Sequence, residues 1–288
     1  MMLRGLCMAV ELLPISAVDF AEFTQAFNLA YSDYYVAISM SVPAFRALFE
    51  RDDIDPDASV AAVDAGRIVG TGLLGIRGQD GWIGGMGVIP DRRRQGIGQA
   101  MMEHLIRQAR ARNLHHLDLE VIEANRGAQA LYRALGFENR RFLLILERTP
   151  ERVPDILPEC PLGETDALSV LDQYDAFHPV PNCWQRARSS LQAMAASLQS
   201  WTLNGEDGLQ SYALGYADPS ALRLIDLAAA PGKDAARSAA CLLAALHRTY
   251  PGAHASSYNV ADNDPVLPAF EALGYMVNFR QIEMRLEL

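Results

Sequence analysis

The residues of this 288-residue chain that could carry out chemistry are concentrated just after an apolar, glycine-rich stretch. Three consecutive arginines, Arg92, Arg93 and Arg94, lead to two glycines, Gly96 and Gly98, and then to a helical pattern. Glycine lets the backbone approach a ligand closely, and the free N–H groups at a helix start attract an anion. Arginine adds positive charge and planar donors for phosphate. The stretch therefore predicts a turn that binds a diphosphate.

The spacing of the glycines distinguishes this turn from other phosphate-binding turns. No Gly-Lys-Ser/Thr follows it, as a Walker loop requires, and Met101 stands where the dinucleotide fingerprint has its third glycine. The pattern Arg93-x-x-Gly96-x-Gly98 after a strand resembles the acetyl-CoA signature of the GCN5-related N-acetyltransferases, the GNAT family. Taken alone, so short a pattern is also compatible with a surface loop and a helix cap.

A second segment resembles the other signature of the same family, Asn-x-x-Ala-x-x-Leu-Tyr-x-x-x-Gly-Phe. It begins at Asn125, contains Tyr132 and ends at Gly136 and Phe137. Apolar residues within it recur at helical spacing, and glycine commonly ends a helix. The segment follows the first signature at the distance typical of the family. With both signatures in order, the chain is identified as a member of the GNAT family.

A proline-rich stretch over residues 149–163 predicts a connection between two domains, since proline interrupts helices and sheet ladders alike. Its prolines are Pro150, Pro154, Pro158 and Pro161. We place an N-terminal, acetyl-CoA-binding and catalytic GNAT domain at residues 1–150. A C-terminal GNAT-like domain follows at residues 151–288.

The two halves of the chain show the same order of patterns: two helices, a hairpin, a strand, a long helix, a strand and a short helix. Asn125 stands eleven residues before Gly136, and Asn263 stands eleven before Gly274. Such repetition indicates a duplication. The predicted fold class is α/β (α+β), with two tandem GNAT folds. Each has a mixed, mostly antiparallel central sheet flanked by helices.

The second copy lacks the residues that would do chemistry. Aligned on the two asparagines without gaps, Gly96 corresponds to Asp234 and Tyr132 to Phe270. An aspartate at a phosphate turn repels a diphosphate, and phenylalanine has no proton to donate. We predict that the second domain is degenerate and structural, or that it shapes the substrate site, while a second ligand site is the alternative.

The family resemblance implies a set of residues that bind acetyl-CoA, mostly through backbone N–H groups. In this fold the glycine-rich strand splays from the next strand, and pantetheine lies in the gap. The implied cofactor-binding residues are Met86, Gly87, Val88, Arg93, Arg94, Gln95, Gly96, Ile97, Gly98, Gln99 and Asn125. Tyr132 is the implied general acid to the CoA sulfur, because a phenol with a pKa of about 10 is protonated at neutral pH.

The general base is predicted to be Glu120. Its spacing to Asn125 and Tyr132 resembles that in the ribosomal-protein alanine acetyltransferases. A glutamate in an otherwise apolar strand is costly to bury unless it is paired or used. The structural alternative is an ion pair, for example with Arg126. Asp33, a nearby tyrosine or a water relay would also serve as the base.

The acceptor pocket of the family is built from the segment between the first two helices, here Tyr31–Met40. This segment is aromatic and apolar with one acid, which suits an amine, although core packing would use the same composition. The predicted acceptor residues are Tyr31, Asp33, Tyr34 and Tyr35. The acceptor is expected to be a primary amine, on a small molecule or a peptide N terminus, that attacks directly in a ternary complex.

Composition excludes several other classes of protein. The net charge of −10 argues against a nucleic-acid binder, and no apolar run reaches the ~20 residues of a membrane span. The stretch Met1–Val10 predicts no signal peptide. The cysteines, at positions 7, 160, 183 and 241, have no metal-ligand spacing. We therefore expect a cytoplasmic acetyl-CoA-dependent enzyme without a metal, as a monomer or homodimer.

Two alternative functions remain open at this stage. Mycothiol synthase, which acetylates a cysteinyl pseudo-disaccharide, is also a tandem acetyltransferase, but its C-terminal copy carries the chemistry. A CoA-binding sensor without turnover would keep the glycine turn, although an intact Tyr132 argues against it.

Overall fold

The computed structural model describes residues 10–36, 38–151, 153, 159–206 and 208–288. The chain divides into two compact units, one of Met1–Arg140 with Met284–Leu288 and the other of Arg141–Glu283. Cys7, Pro154, Pro158 and all but the last residue of Met1–Val10 lie outside the described residues. In the part of the chain that is described, no helix is long and apolar enough to cross a membrane.

The first unit is a sheet with helices on both faces. Its elements are β1 (Glu11–Pro14), α1 (Phe20–Ala30), α2 (Val42–Arg51), β2 (Val60–Asp64), β3 (Arg67–Arg77), β4 (Asp80–Val88), α3 (Ile97–Ala111), β5 (His116–Ile122), α4 (Arg126–Ala134) and the start of β6 (Glu138–Arg148). The strands lie in the order β1-β2-β3-β4-β5, followed by the end of β12 (Met276–Glu287). The pairs from β1 to β4 are antiparallel, and β4 pairs with β5 in parallel.

Successive side chains of β3 point to opposite faces of the sheet, and each face packs against a different helix. A Cβ built on Gly70 would lie 2.8 Å from Met101 of α3, so this face of the strand packs against α3. The other face carries Leu73, which lies beside Phe27 of α1 at the position of Gly85. Burial of each large apolar side chain contributes about 1.5–3 kcal/mol relative to its exposure. These contacts fix α1 and α3 on opposite faces of β3 and β4, where the site is built.

The second unit repeats this order of elements with one additional short helix before its hairpin. It contains the rest of β6, β7 (Gly163–Glu164), α5 (Ala167–Leu171), α6 (Tyr174–Phe177), α7 (Arg188–Met194), β8 (Gln199–Gly205), β9 (Gly208–Ala217), β10 (Ala221–Ala229), α8 (Ala235–Thr249), β11 (His254–Ala261), α9 (Leu267–Ala272) and most of β12. Its strand order is β12-β6-β11-β10-β9-β8-β7, with β10 and β11 parallel. The predicted fold class, mixed and mostly antiparallel sheets flanked by helices, is confirmed.

The border of the compact units differs from the predicted boundary between residues 150 and 151. Residues 141–148 of β6 belong to the second unit, because they pair antiparallel with β11, from Leu143 opposite Ala261 to Arg148 opposite Ala255. The end of β12 belongs to the first unit. Strand pairing therefore sets the border. The catalytic and structural roles assigned to the two domains stay predictions.

Candidate active site

A cavity in the first unit arises where β4 and β5 separate. Their parallel register runs only from Asp80 opposite His116 to Trp82 opposite Asp118. Farther along, the pairing of β4 with β3 is interrupted by a bulge, at which Gly85 has a φ of 61°. A cavity of about 640 Å³ lies against the end of β4 and the starts of α3 and α4. The predicted splay of these two strands is present.

Most of the predicted site residues line this cavity. They are Tyr31, Asp33, Tyr34, Tyr35, Met86, Gly87, Val88, Arg93, Arg94, Gly96, Gly98, Gln99, Asn125 and Tyr132. Gln95, Ile97 and Glu120 are not among the lining residues. The sequence analysis missed Ala30, Gly127, Ala128 and Leu131 as lining residues. Ala128 and Leu131 could have been found, because they share a helical face with Tyr132.

The turn at the start of α3 is open to the cavity. Gly96 is the N-cap residue, with a φ of 81° in the left-handed region that favours glycine. No side chain caps the helix, so the first N–H groups of α3 lack the partner that a capping oxygen would provide. A Cβ built on Gly96 would meet no heavy atom within 4 Å. The geometry fits an anion held by backbone donors.

Glycine is required at two positions of β4 for a different physical reason. A Cβ on Gly84 would lie 2.2 Å from the indole of Trp82, and one on Gly85 would lie 2.8 Å from Phe27. These two glycines therefore make room for the protein's own aromatic rings. Of Gly84, Gly85 and Gly87, only Gly87 lines the cavity.

Two of the three arginines before the turn are paired with aspartates, and within the described residues the third is not. Arg92 forms an ion pair with Asp64, and Arg93 forms one with Asp33. Arg94 lines the cavity and has no hydrogen bond or ion pair among the described residues. Its backbone is left-handed, with a φ of 63°. Of the cluster, Arg94 is thus the guanidinium that is available to a phosphate.

Tyr132 on α4 lines the cavity. The residue is 7% exposed, and within the described residues its hydroxyl has no hydrogen-bond partner. Burial, and to a lesser degree the neighbouring Tyr34, raises the pKa of this phenol well above its usual range. The group therefore stays protonated at neutral pH and keeps a proton to donate.

Tyr31, Tyr34 and Asn125 also line the cavity. Asn125 Oδ1 accepts a hydrogen bond from the Ala128 N–H at 3.2 Å, which caps α4. Burial raises the pKa of the Tyr34 phenol, and the neighbouring Asn125 side chain partly opposes this shift. The Tyr31 hydroxyl donates to the Met86 carbonyl at 3.3 Å. The side-chain carbonyl oxygen of Asn125 is therefore already engaged in capping α4.

Glu120, the predicted base, lies on β5 and accepts a hydrogen bond from the Trp82 indole N–H at 2.8 Å. Its rival Asp33 lines the cavity. Hydrogen bonds from Arg93 hold the pKa of Asp33 below its usual range, which weakens it as a base. The base is the part of the predicted chemistry with the least geometric support.

The corresponding place in the second unit is closed. A cavity of only about 10 Å³ lies between the end of β10 and the start of α8, too small for more than one water. Asp234 stands at the N-cap of α8, and Phe270 is fully buried. These observations fit a degenerate copy.

A buried polar cluster lies beside this closed cavity. The carboxylate of Asp226 on β10 accepts hydrogen bonds from Arg186 at 2.9 Å and from the Tyr212 hydroxyl at 3.0 Å. His178 Nε2 lies 3.3 Å from it. Burial opposes the charge of Asp226, but His178 and Arg186 outweigh it and hold its pKa below the usual range. Buried charges are retained in this way when they are paired and hydrogen-bonded.

Comparison with known proteins shows that the segment that builds this site matches a family model. Residues 22–137 match the model of the acetyltransferase (GNAT) family. The ribosomal protein bS18-alanine N-acetyltransferase of Escherichia coli is 50% identical over 50 residues, which are 17% of this chain and 34% of that protein. An acetyltransferase of Sodalis glossinidius is 33% identical over 92 residues, which are 32% of this chain and 65% of that protein. The chain thus spans about a third of the length of the first relative.

The fold is also similar to that of a solved tandem GNAT protein from the clavulanic acid biosynthesis pathway. The TM-score is 0.70 at 18% identity, and the match covers 97% of this chain and 98% of that protein. At this identity the likeness concerns the fold alone. It extends over both halves of the chain, in agreement with the duplication that the sequence indicates.

Proposed function

The chain contains a GNAT-family acetyltransferase domain over residues 22–137, and we propose that this domain transfers acetyl from acetyl-CoA to a primary amine. The observation that carries the proposal is one cavity that joins an uncapped, glycine-led helix start with the unpartnered hydroxyl of Tyr132. The acceptor is a small-molecule amine or a peptide N terminus. The amine attacks directly while both substrates are bound.

The proposal assigns roles to a few residues in and near the cavity. The first N–H groups of α3 and the guanidinium of Arg94 hold the diphosphate. Acetyl-CoA supplies an activated acetyl thioester when it is bound. Tyr132 gives its proton to the sulfur as the C–S bond breaks and the N–C bond forms. The proton of the amine passes to a base, and Glu120 is the residue that the sequence predicts for this role.

The role of Glu120 is tested by Glu120→Gln. If Glu120 is the base, the substitution lowers kcat/KM and removes the lower pKa from its pH profile, because the amide accepts no proton. The measurement is kcat/KM between pH 5 and 9. An unchanged profile would assign the base to Asp33, to a tyrosine or to water.

The matched control is Trp82→Phe, which removes the indole donor to Glu120 but keeps a large ring. If Glu120 serves only to hold Trp82, the two variants should lower the midpoint of urea unfolding and leave the pH profile alone. A pH effect confined to Glu120→Gln would separate the chemical role from the structural one.

The second unit is proposed to have no acetyl-CoA site of its own. Calorimetry should give one acetyl-CoA per chain, because the place in the second unit that corresponds to the cavity measures only about 10 Å³. Asp234→Gly should not create a second site, since removal of one charge does not open that space. Two equivalent sites in the wild type would disprove the degeneracy of the second copy.

The function itself is tested by mixing the protein with acetyl-CoA and a panel of amines while free thiol is followed. The panel contains an alanine-starting hexapeptide, a lysine side-chain analogue, a polyamine and a cysteinyl sugar. Turnover with one class supports the enzyme and identifies its acceptor. Tight acetyl-CoA binding without turnover on any of them would favour the sensor.

A further inference from the structure

The guanidinium of Arg93 is directed away from the start of α3. Its Nη1 and Nη2 atoms donate to the two carboxylate oxygens of Asp33, each at 2.7 Å. Its Nη2 also donates to the carbonyl of Ala30 and its Nε to that of Val88, each at 3.0 Å. Four of the five N–H donors of an arginine are thus engaged by protein.

These bonds connect three parts of the cavity wall. Val88 ends β4, Ala30 ends α1, and Asp33 lies in the segment that carries Tyr31 and Tyr34. The last carbonyls of a helix have no partner within the helix, and a cation at that end is favourable. Arg93 therefore closes the end of α1 and fixes the first residues of the acceptor segment relative to β4.

The pair of Arg93 and Asp33 is partly exposed, with side chains 39% and 53% accessible. An exposed pair alone contributes little to stability. This one has the bidentate geometry in which an arginine defines orientation as well as charge. Its effect is therefore expected on the placement of the segment more than on the stability of the fold.

We propose that Arg93 is a positioning residue of the acceptor wall, and that Asp33 holds Arg93 in place and is not a ligand of the amine. The diphosphate is left to Arg94 and the backbone N–H groups of α3. The inference rests on the proposed function, since it assigns the two sides of the same cavity. It also implies that the acceptor meets tyrosine rings and hydroxyls, while Asp33, the one acid among the described lining residues, is neutralised by Arg93.

The two adjacent arginines provide a matched test by calorimetry with acetyl-CoA. Arg93→Gln should change the Kd by less than about threefold, whereas Arg94→Gln should raise it by about fivefold or more. The reverse order, with Arg93→Gln weakening binding about tenfold and Arg94→Gln neutral, would show that Arg93 is a phosphate ligand. A wild type that binds no acetyl-CoA would instead disprove the proposed function.

Kinetics with an alanine-starting hexapeptide separate positioning from general structural damage. Arg93→Gln and Asp33→Asn should each raise the KM of the peptide about tenfold, with the KM of acetyl-CoA unchanged. The double variant should be no worse than either single one, because both remove the same contact. Arg93→Lys should restore part of the loss. A rise in peptide KM confined to Asp33→Asn would mean that Asp33 binds the amine directly.

Hydrogen exchange gives a readout that needs no acceptor. Backbone amides of residues 31–36 should exchange faster in Arg93→Gln, in Asp33→Asn and in the double variant, to a similar extent. Arg94→Gln should leave them as in the wild type. If Arg93→Gln and Asp33→Asn exchange no faster than Arg94→Gln in this segment, Arg93 does not fix it.

Discussion

Replacement of Tyr132 by phenylalanine is expected to lower turnover by roughly 10²–10⁴ while acetyl-CoA affinity stays near that of the wild type. The variant loses one hydroxyl that has no protein partner within the described residues, so the packing of α4 is kept. Phe270 stands at the corresponding position of the second unit, fully buried, which indicates that the fold accepts this ring. The measurements are single-turnover acetyl transfer and calorimetry.

Two other tyrosines of the cavity serve as controls. The Tyr35 hydroxyl donates to the carbonyl of Ala124 at 3.2 Å in an exposed position, and Tyr35→Phe should leave turnover within about threefold. Tyr34→Phe tests whether its hydroxyl, which lies beside Asn125 in the same cavity, is the acid. A large loss in Tyr34→Phe together with normal turnover in Tyr132→Phe would move the proton donor to Tyr34.

The pH dependence of the reaction provides a second check on Tyr132. Burial raises the pKa of this phenol above its ordinary value, so the acid form persists as the pH rises through 9. We therefore expect no loss of activity from deprotonation of the acid below about pH 10. An alkaline fall in kcat near pH 8 that disappears in Tyr132→Phe would contradict the assigned pKa direction.

Replacement of Gly96 by aspartate is expected to weaken acetyl-CoA binding about a hundredfold or more. The substitution copies Asp234 of the second unit and sets a negative charge at the turn where the diphosphate is proposed to bind. A Cβ at Gly96 meets no protein atom within 4 Å, so the side chain would project into open space beside the cavity. Calorimetry with acetyl-CoA measures the effect.

Gly96→Asn separates charge from backbone strain. Asparagine matches aspartate in size, and both tolerate the left-handed conformation better than other side chains. The φ of 81° at Gly96 therefore strains the two variants alike. We expect Gly96→Asn to lose less than about tenfold in affinity. An affinity of Gly96→Asp within about threefold of the wild type would show that the diphosphate lies elsewhere.

Local patterns determined much of the fold. The helix over Val42–Arg51 begins directly after Ser41, whose side chain accepts a hydrogen bond from the Ala44 N–H, because caps and turns act within a few residues. The glycine turn before α3 and the capping asparagine of α4 are also local features. For this reason the two short signatures contain several of the residues that line the cavity, although Gln95 and Ile97 do not line it.

The border between the units could not be determined from the sequence. The prolines of 149–163 indicate a connection, but β6 completes a sheet with β11, more than a hundred residues away along the chain. Several strands of similar apolar pattern could take that place. Only the assembled sheet decides which edge is paired, because register depends on the face that each strand buries.

The partners of the charged residues were likewise decided by the tertiary structure. Arg93 pairs with Asp33 at a separation of 60 residues, and Glu120 bonds Trp82 at a separation of 38. The sequence offers 35 acidic and 25 basic side chains, and no local rule selects among them. The glycine signature predicted where an anion could bind. Which arginine faces it depends on the distances and the burial that folding creates around each charge.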